Sequence, residues 1–168
     1  MTVVKFSQCD PFGHLYNVRY LDCMFDGREQ HVQENYPLLR QEMLSDQRNW
    51  VISSTNVQYV SPAARGDALL IESSIFGVTR FGVRLEITMT DLQRARVLAV
   101  LWSELCYVDL RCGLPTKHDE AVQGFLESIA IPMPDPTLDD RVRSLRLAAS
   151  EPPRLSWRPV GVSQPRKV

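Results

Sequence analysis

Residues 9–32 read CDPFGHLYNVRYLDCMFDGREQHV, and the pattern of this stretch changes near its middle. Asp10 and Gly13 lie in its first part, which has the composition of a turn. From Asn17 onward, apolar residues recur at helical spacing with charged residues between them. The stretch therefore predicts a loop that leads into an amphipathic helix over residues 17–36, with Asn17 as its N-cap.

This arrangement places the carboxylate of Asp10 shortly before the start of a helix. The first backbone N–H groups of a helix have no partner within the helix and lie at the positive end of its dipole. They can hold the carbonyl oxygen of a thioester and the oxyanion that forms from it. A carboxylate beside them can attack the carbonyl carbon or take a proton from an attacking water. Asp10 is therefore a candidate catalytic residue, although an isolated Asp-Pro pair more often only caps a turn.

Strand-like segments dominate the chain after the helix. Four long runs rich in β-branched and apolar residues are predicted as strands at 49–60, 68–79, 81–91 and 95–110. Shorter elements are predicted as a strand at 2–7 and helices at 38–44 and 119–129. The run VLAVLWSELCYV, residues 97–108, is almost continuously apolar, which indicates a central strand covered on both faces. One long helix and an antiparallel sheet of about five strands predict an α+β fold.

Composition narrows the class of protein. The length of 168 residues, with 44% hydrophobic and 23% charged residues, fits one soluble domain. A net charge of -1 gives no reason to expect nucleic acid or an anionic membrane as a partner. The four cysteines lack Cys-x-x-Cys spacing, and the sequence shows neither a signal peptide nor ~18 consecutive apolar residues. We therefore expect a cytoplasmic protein with no membrane insertion, metal or cofactor.

The C-terminal part differs in composition from the rest of the chain. Residues 132–168 hold seven of the eleven prolines, so we predict a folded domain over 1–131 and a Pro- and Arg-rich extension over 132–168 that is partly ordered or disordered. Within this extension, residues 137–149 have the pattern of a helix. Residues 150–168 read as an extended or disordered tail.

A set of residues in the first stretch stands at the spacing of a known family signature. These residues are Asp10, Gly13-His14, Asn17, Tyr20-Leu21 and Gly27-Arg28. Together they resemble the signature of the hot-dog-fold acyl-CoA thioesterases of the 4-hydroxybenzoyl-CoA thioesterase type. Weaker similarity continues through PAARGD, VTRFGVRLEITM and CYVDLRCGLPTKHDEAVQGFLESI. The resemblance covers roughly three quarters of the chain and leaves out the C-terminal extension.

The resemblance implies a hot-dog fold, in which a five- to six-stranded antiparallel sheet wraps a long central helix. It also implies hydrolysis of an acyl-CoA thioester to the free acid and CoA. Asp10 would be the nucleophile or the general base, and the backbone amide of Asn17 or Val18 would polarise the carbonyl. His14 and the Asn17 side chain would line the pocket and orient the carbonyl or the water.

Further residues are candidates for substrate binding. Those around the predicted helix start are Phe12, Gly13, Tyr16 and Val18. The aromatic side chains of Phe12 and Tyr16 favour an aryl or medium-length acyl group. For the phosphates of CoA, the family supplies positive groups at the subunit edge, and Arg65, Arg80 and Arg84 are candidates because a guanidinium binds a phosphate bidentately. Arg80 is the first choice, since it lies in a predicted hairpin turn.

Two positions in the helix carry separate expectations. Phe25 stands where many members of the family have a glutamate, so the substrate or the rate of this protein is expected to differ. Gly27 costs about 1 kcal/mol of helix propensity relative to alanine. That cost is explained if another backbone passes close to the helix at this point, which is how the family uses its small residue.

The sequence also gives expectations about the oligomeric state and leaves alternative functions open. A single sheet of this kind has an exposed edge, and the family pairs two such sheets into a homodimer or a homotetramer. The active site would then lie at the interface, with Asp10 facing residues of the partner. Two alternatives stay open: a thioesterase acting on acyl-carrier-protein substrates, and a non-hydrolytic acyl-CoA-binding protein. The second would be expected to have lost the aspartate.

Overall fold

A long helix lies across one face of an antiparallel sheet in the computed structural model, which describes residues 2–149. The helices are α1 (Asn17–Asn35), α2 (Pro37–Met43), α3 (Glu120–Ile129) and α4 (Leu138–Ala148), and a 3-10 turn spans Phe6–Gln8. The strands are β1 (Thr2–Val3), β2 (Arg48–Tyr59), β3 (Ala68–Thr79), β4 (Gly82–Asp91), β5 (Val97–Asp109) and β6 (Leu114–Pro115). The sheet order is β1-β3-β4-β5-β2, and β6 pairs with β5.

The predicted order of one long helix followed by four long strands is confirmed, with three local corrections. Asn17 is the first helical residue and Tyr16 is the N-cap, so the predicted N-cap was wrong by one position. Helix α2 begins at Pro37, one residue before its predicted start, because the missing N–H of a proline costs nothing at the first helical position. The first strand is limited to Thr2–Val3 because the chain turns at Phe6–Gln8. The predicted tail over 150–168 lies outside the described residues, and the boundary at residue 131 stays a prediction.

Helix α1 packs on the sheet through its apolar face. Met24 is fully buried and Tyr20 is 3% exposed, and both belong to a core shared with β4 and β5. Gly27 faces β3, where a Cβ would lie 2.9 Å from Cγ2 of Ile71. The close neighbour of Gly27 is thus a side chain, whereas the sequence led us to expect a backbone. The glycine lets α1 approach β3 closely.

Helix α4 covers part of the opposite face of the sheet. Its Val142 packs with Val97 and Val100 of β5, and all three side chains are buried. Since α1 covers the other face, the first half of β5 is buried on both sides, as its continuous apolar character predicted. No helix within residues 2–149 has both the length and the apolar character needed to cross a membrane.

Strand β2 forms one edge of the sheet. Its only strand partner within residues 2–149 is β5, and residues 51–56 in its middle are exposed. The side chains of Val51 and Ile52 are 50% and 48% exposed. A long edge strand with apolar side chains is usually paired or protected in proteins. This edge therefore has the character of an association surface.

Candidate active site

The loop that carries Asp10 is a closed turn held by its own hydrogen bonds. The Asp10 amide donates to the carbonyl oxygen of His14 at 2.8 Å. Asp10 Oδ1 accepts from the backbone amides of Phe12 at 2.9 Å and His14 at 3.0 Å. Gly13 adopts a φ of 80°, which suits glycine. Oδ2 receives no hydrogen bond from any residue between 2 and 149, so one carboxylate oxygen is fixed and the other is available to a ligand.

Contacts with neighbouring segments hold the loop in place. The Leu15 amide donates to the carbonyl of Ala63 at 2.7 Å, and the Arg65 amide donates to the carbonyl of Gly13 at 3.2 Å. The hydroxyl of Tyr20 accepts from the Ala63 amide at 2.9 Å. Burial raises the pKa of Tyr20, which keeps this hydroxyl protonated. Tyr20 therefore supports the segment that holds the Asp10 loop.

The start of α1 presents uncapped amides beside this loop. Tyr16 is the N-cap and its side chain makes no capping bond, and the first turn holds no acidic residue. The Arg19 amide donates to the carbonyl of Tyr16 at 2.7 Å. The amides of Asn17 and Val18 have no acceptor among residues 2–149. Two free donors at the positive end of the helix dipole can bind the oxygen of a polarised carbonyl.

A pocket of about 250 Å³ brings the three predicted catalytic residues together, because Asp10, His14 and Asn17 all line it. Tyr59, at the end of β2, also lines this pocket and donates its hydroxyl hydrogen to the carbonyl of Asn17 at 3.0 Å. Burial raises the pKa of Tyr59. Sequence reasoning missed Tyr59 because only the folded sheet brings the end of β2 to the start of α1.

The predicted substrate-binding residues fall into two groups. The side chains of Phe12, Tyr16 and Val18 surround the helix start and are 54%, 55% and 52% exposed, and Gly13 forms the turn beside them. Arg65 and Arg80 make up the second group. Arg65 precedes β3, and its guanidinium carbon lies 5.7 Å from the centre of the Phe6 ring.

Arg80 follows β3 in the turn to β4 and is exposed, and its carbonyl accepts from the His118 amide at 3.0 Å. Strand β3 has 12 residues, so its ends are roughly 36 Å apart at ~3.3 Å per residue. Arg65 and Arg80 therefore do not converge within one chain. Arg65 lies near Asp10, and Arg80 lies at the far end of the sheet.

A second cavity, of about 270 Å³, lies between the later part of α1, α2 and the sheet. Apolar side chains form most of its wall, and Arg28, Glu29 and Asn49 are its polar members. It shares no lining residue with the Asp10 pocket. Sequence analysis did not predict this cavity, because its wall combines residues from elements far apart in the chain.

Arg28 is the unusual member of this cavity wall. Burial lowers the pKa of its guanidinium to about 10. No carboxylate of residues 2–149 forms an ion pair with it. Within the same part of the chain, no group of three His, Cys, Asp or Glu side chains is placed to hold a metal ion. The two cavities thus offer a carboxylate with backbone amides in one and a partly buried cation in the other.

A helix laid on an antiparallel sheet, with a carboxylate loop at the helix start, is the hot-dog architecture of thioesterases. The family model of the Thioesterase-like superfamily matches residues 4–137. The chain belongs to this superfamily, which confirms the predicted family resemblance and supports thioester hydrolysis. No curated protein sequence matches the chain.

Solved structures show the same fold. A probable thioesterase, YbaW from Escherichia coli, has 21% identity and a TM-score of 0.68, covering 77% of this chain and 96% of its own. A 1,4-dihydroxy-2-naphthoyl-CoA thioesterase from Synechocystis has 15% identity and a TM-score of 0.66, and the match covers 78% of this chain and 96% of the thioesterase. A thioesterase from Thermus thermophilus, complexed with coenzyme A and Zn, has 24% identity and a TM-score of 0.62. The match covers 74% of this chain and 93% of that thioesterase. These likenesses confirm the predicted hot-dog fold.

Proposed function

We propose that this protein hydrolyses acyl-CoA thioesters to the free acid and CoA, with Asp10 as the nucleophile or general base. One observation carries the proposal. The Asp10 carboxylate, with Oδ2 available, lines the same pocket as Asn17, the first residue of α1, whose amide and that of Val18 are uncapped. A thioester carbonyl needs a nucleophile or base beside its carbon and donors beside its oxygen.

Two routes use these groups. In the first, Asp10 Oδ2 attacks the carbonyl carbon while the amide of Asn17 or Val18 holds the oxyanion. The C–S bond breaks, CoA leaves as the thiolate, and water then hydrolyses the acyl-aspartate anhydride. In the second, Asp10 takes a proton from a water that adds to the same carbon, and the tetrahedral intermediate expels the thiolate. His14, in the same pocket, would orient the carbonyl or the water.

We propose a homodimer, alone or paired into a homotetramer, as the active form. Arg28 lies eleven positions after Asn17 in α1, so the Asp10 pocket and the apolar cavity are roughly 16 Å apart along the helix at ~1.5 Å per residue. Strand β2 contributes Tyr59 to the pocket and Ile52 to the cavity.

Antiparallel pairing of two β2 strands about a two-fold axis at Thr55 would set Tyr59 opposite the partner subunit's Val51. The pocket of one subunit would then adjoin the cavity of the other.

For CoA, we propose that Arg65 and Arg80 bind its phosphates from different subunits. Both side chains are exposed, and they lie at opposite ends of β3. Antiparallel pairing of the two β2 strands would bring the Arg65 end of one sheet level with the Arg80 end of the other. Phe12, Tyr16 and Val18, all more than half exposed in one chain, would be covered by the substrate or the partner.

The test is an assay of thiol release from short, medium, long and aromatic acyl-CoAs by the wild type, Asp10→Asn and Asp22→Asn. Asp22 is a matched control because it is exposed on α1 and paired with Arg19 at 2.7 Å, outside the pocket. We expect Asp10→Asn to lower kcat by on the order of 100-fold or more, because the amide has neither a nucleophilic charge nor basicity. Asp22→Asn should retain the wild-type rate.

Light scattering on the same samples tests the assembly, which should be dimeric or tetrameric in all three. If Asp10→Asn keeps its rate, the catalytic carboxylate lies elsewhere. If the wild type hydrolyses no acyl-CoA, the acyl group is delivered by a carrier protein or the protein only binds its ligand, and the proposal is rejected.

A further inference from the structure

The apolar cavity contains one feature that an apolar ligand alone does not explain. Its wall is built from side chains such as Phe25, Val32, Trp50 and Ile75, yet Arg28 also lines it. At about 270 Å³ the cavity is close to the lower end of the range for small-molecule sites, roughly 300–1,000 Å³. That volume accommodates a short or medium-length acyl group.

The Arg28 guanidinium has five N–H donors, and none is bonded to an acceptor in residues 2–149. Its nitrogens are not sealed in the protein, since the only fully buried and unpartnered side-chain atoms in that part of the chain are Ser61 Oγ and Thr90 Oγ1. Arg28 lines this cavity and also an adjoining one of about 60 Å³ beside Tyr36 and Ser73, and neither of those side chains accepts a hydrogen bond from its donors. A cation in apolar surroundings without a partner is costly, and proteins rarely keep one without a use.

No nearby carboxylate fills this role. Residues three and four positions apart are neighbours on a helix, so position 25 is where an acidic side chain would pair with Arg28. That position holds Phe25, which lines the cavity instead. Glu29 also lines the cavity, but it forms no ion pair with Arg28, and its Oε1 accepts from Gln33 Nε2 at 2.9 Å.

We propose that this cavity binds the distal end of the acyl group and that Arg28 pairs there with a carboxylate of the substrate. The preferred substrates are therefore mono-CoA thioesters of small dicarboxylic acids. This inference rests on the proposed thioesterase function and names the substrate class of that site. A carboxylate matches the fork of the guanidinium with two parallel hydrogen bonds, and the apolar wall packs against the carbons between the two acyl ends.

The opening of the cavity agrees with this assignment. Ile52 lines the cavity and is 48% exposed on the edge strand β2. A substrate can therefore enter at the edge that the proposed dimer covers, with its thioester outside the cavity and its carboxylate inside. The phosphates of CoA lie at the other end of such a substrate, so the acyl carboxylate is the anion that reaches Arg28.

The experiment compares two substrates of the same shape, adipoyl-CoA and 6-methylheptanoyl-CoA, in which an isopropyl group replaces the carboxylate. We expect the wild type to favour adipoyl-CoA in kcat/KM, and Arg28→Met to lower this preference on the order of 10- to 100-fold, because a charge-assisted bidentate contact is lost. Phe25→Glu should lower it similarly by supplying an internal carboxylate. Arg40→Met, an exposed arginine on α2 outside the cavity, is the matched control and should keep the preference.

Calorimetric titration with free adipate adds a readout that does not depend on catalysis. The wild type and Arg40→Met should bind adipate, and Arg28→Met should not. If the wild type hydrolyses 6-methylheptanoyl-CoA at least as well as adipoyl-CoA, this inference is overturned while the thioesterase function stands. If neither thioester is hydrolysed but another acyl-CoA is, this inference is overturned and the thioesterase function stands. If no acyl-CoA is hydrolysed, the proposed function and the substrate class fail together, and adipate binding that depends on Arg28 then shows only that the cavity is a carboxylate site.

Discussion

Arg141 of α4 forms a forked ion pair with Glu86 of β4 on the face of the sheet opposite α1. Arg141 Nη2 lies 2.8 Å from Glu86 Oε1, and Nε lies 2.9 Å from Oε2. The indole of Trp102 donates to Glu86 Oε2 at 2.8 Å. The Glu86 side chain is only 4% exposed, so this carboxylate depends on its partners for the stabilisation that water would otherwise provide. The pair fixes α4 to the sheet.

Replacing Arg141 should therefore destabilise the protein. In Arg141→Met the buried Glu86 carboxylate loses its cation, and the free energy of unfolding should fall by about 3 kcal/mol. Urea denaturation measures this change. Arg143→Met is the control, because Arg143 is paired with Asp140 at 2.9 Å but its side chain is 70% exposed, so the loss there should be within about 1 kcal/mol. Equal losses of unfolding free energy in the two variants would show that the buried ion pair with Glu86 contributes no more to stability than an exposed pair.

Tyr20→Phe should affect stability and catalysis together. The variant leaves the amide of the fully buried Ala63 without its 2.9 Å partner, which should cost about 1–3 kcal/mol. Since the Ala63 carbonyl also holds the Leu15 amide at 2.7 Å, the Asp10 loop loses part of its support and kcat should fall while KM changes less. Thermal unfolding and thiol release measure the two effects. Tyr16→Phe, at an exposed position, should leave the free energy of unfolding unchanged.

Two helical glycines should respond to alanine in opposite directions. At Gly27 the new Cβ would lie 2.9 Å from Ile71 Cγ2, so Gly27→Ala should destabilise the protein by about 1–3 kcal/mol through overpacking. At Gly124 in α3 a Cβ meets no atom of the described chain within 4 Å, so Gly124→Ala should stabilise by about 0.5–1 kcal/mol through helix propensity. Chemical denaturation of both variants checks the signs. A stabilised Gly27→Ala would mean that α1 does not rely on close approach to β3.

Most of the fold could be predicted from local patterns in the sequence. The period of α1, the alternation and apolar runs of the long strands, and the turn residues around Asp10 and Gly13 act over short distances, so they could be read directly from the sequence. The helix start was misplaced by one residue because an asparagine is favoured as an N-cap but also fits the first helical position. Which neighbour Gly27 admits depends on β3, and no local signal specifies that neighbour.

Part of the candidate site could also be predicted from local sequence, and part could not. Asp10, His14 and Asn17 lie close together in sequence, and the structure places them in one pocket. Tyr59 and the apolar cavity come from pairing between distant segments, which single-sequence reasoning does not determine. Arg28 was visible as part of a family signature, but its lack of a carboxylate partner within residues 2–149 became evident only once its surroundings were known.

Because the Asp10 pocket and the apolar cavity share no residue, the proposed chemical step and the proposed choice of acyl group depend on different side chains. Substitutions in the cavity wall can retune which acid is released without altering the turn that holds the carboxylate. Evolution can thus diversify substrates in such a scaffold while the reaction itself is inherited unchanged.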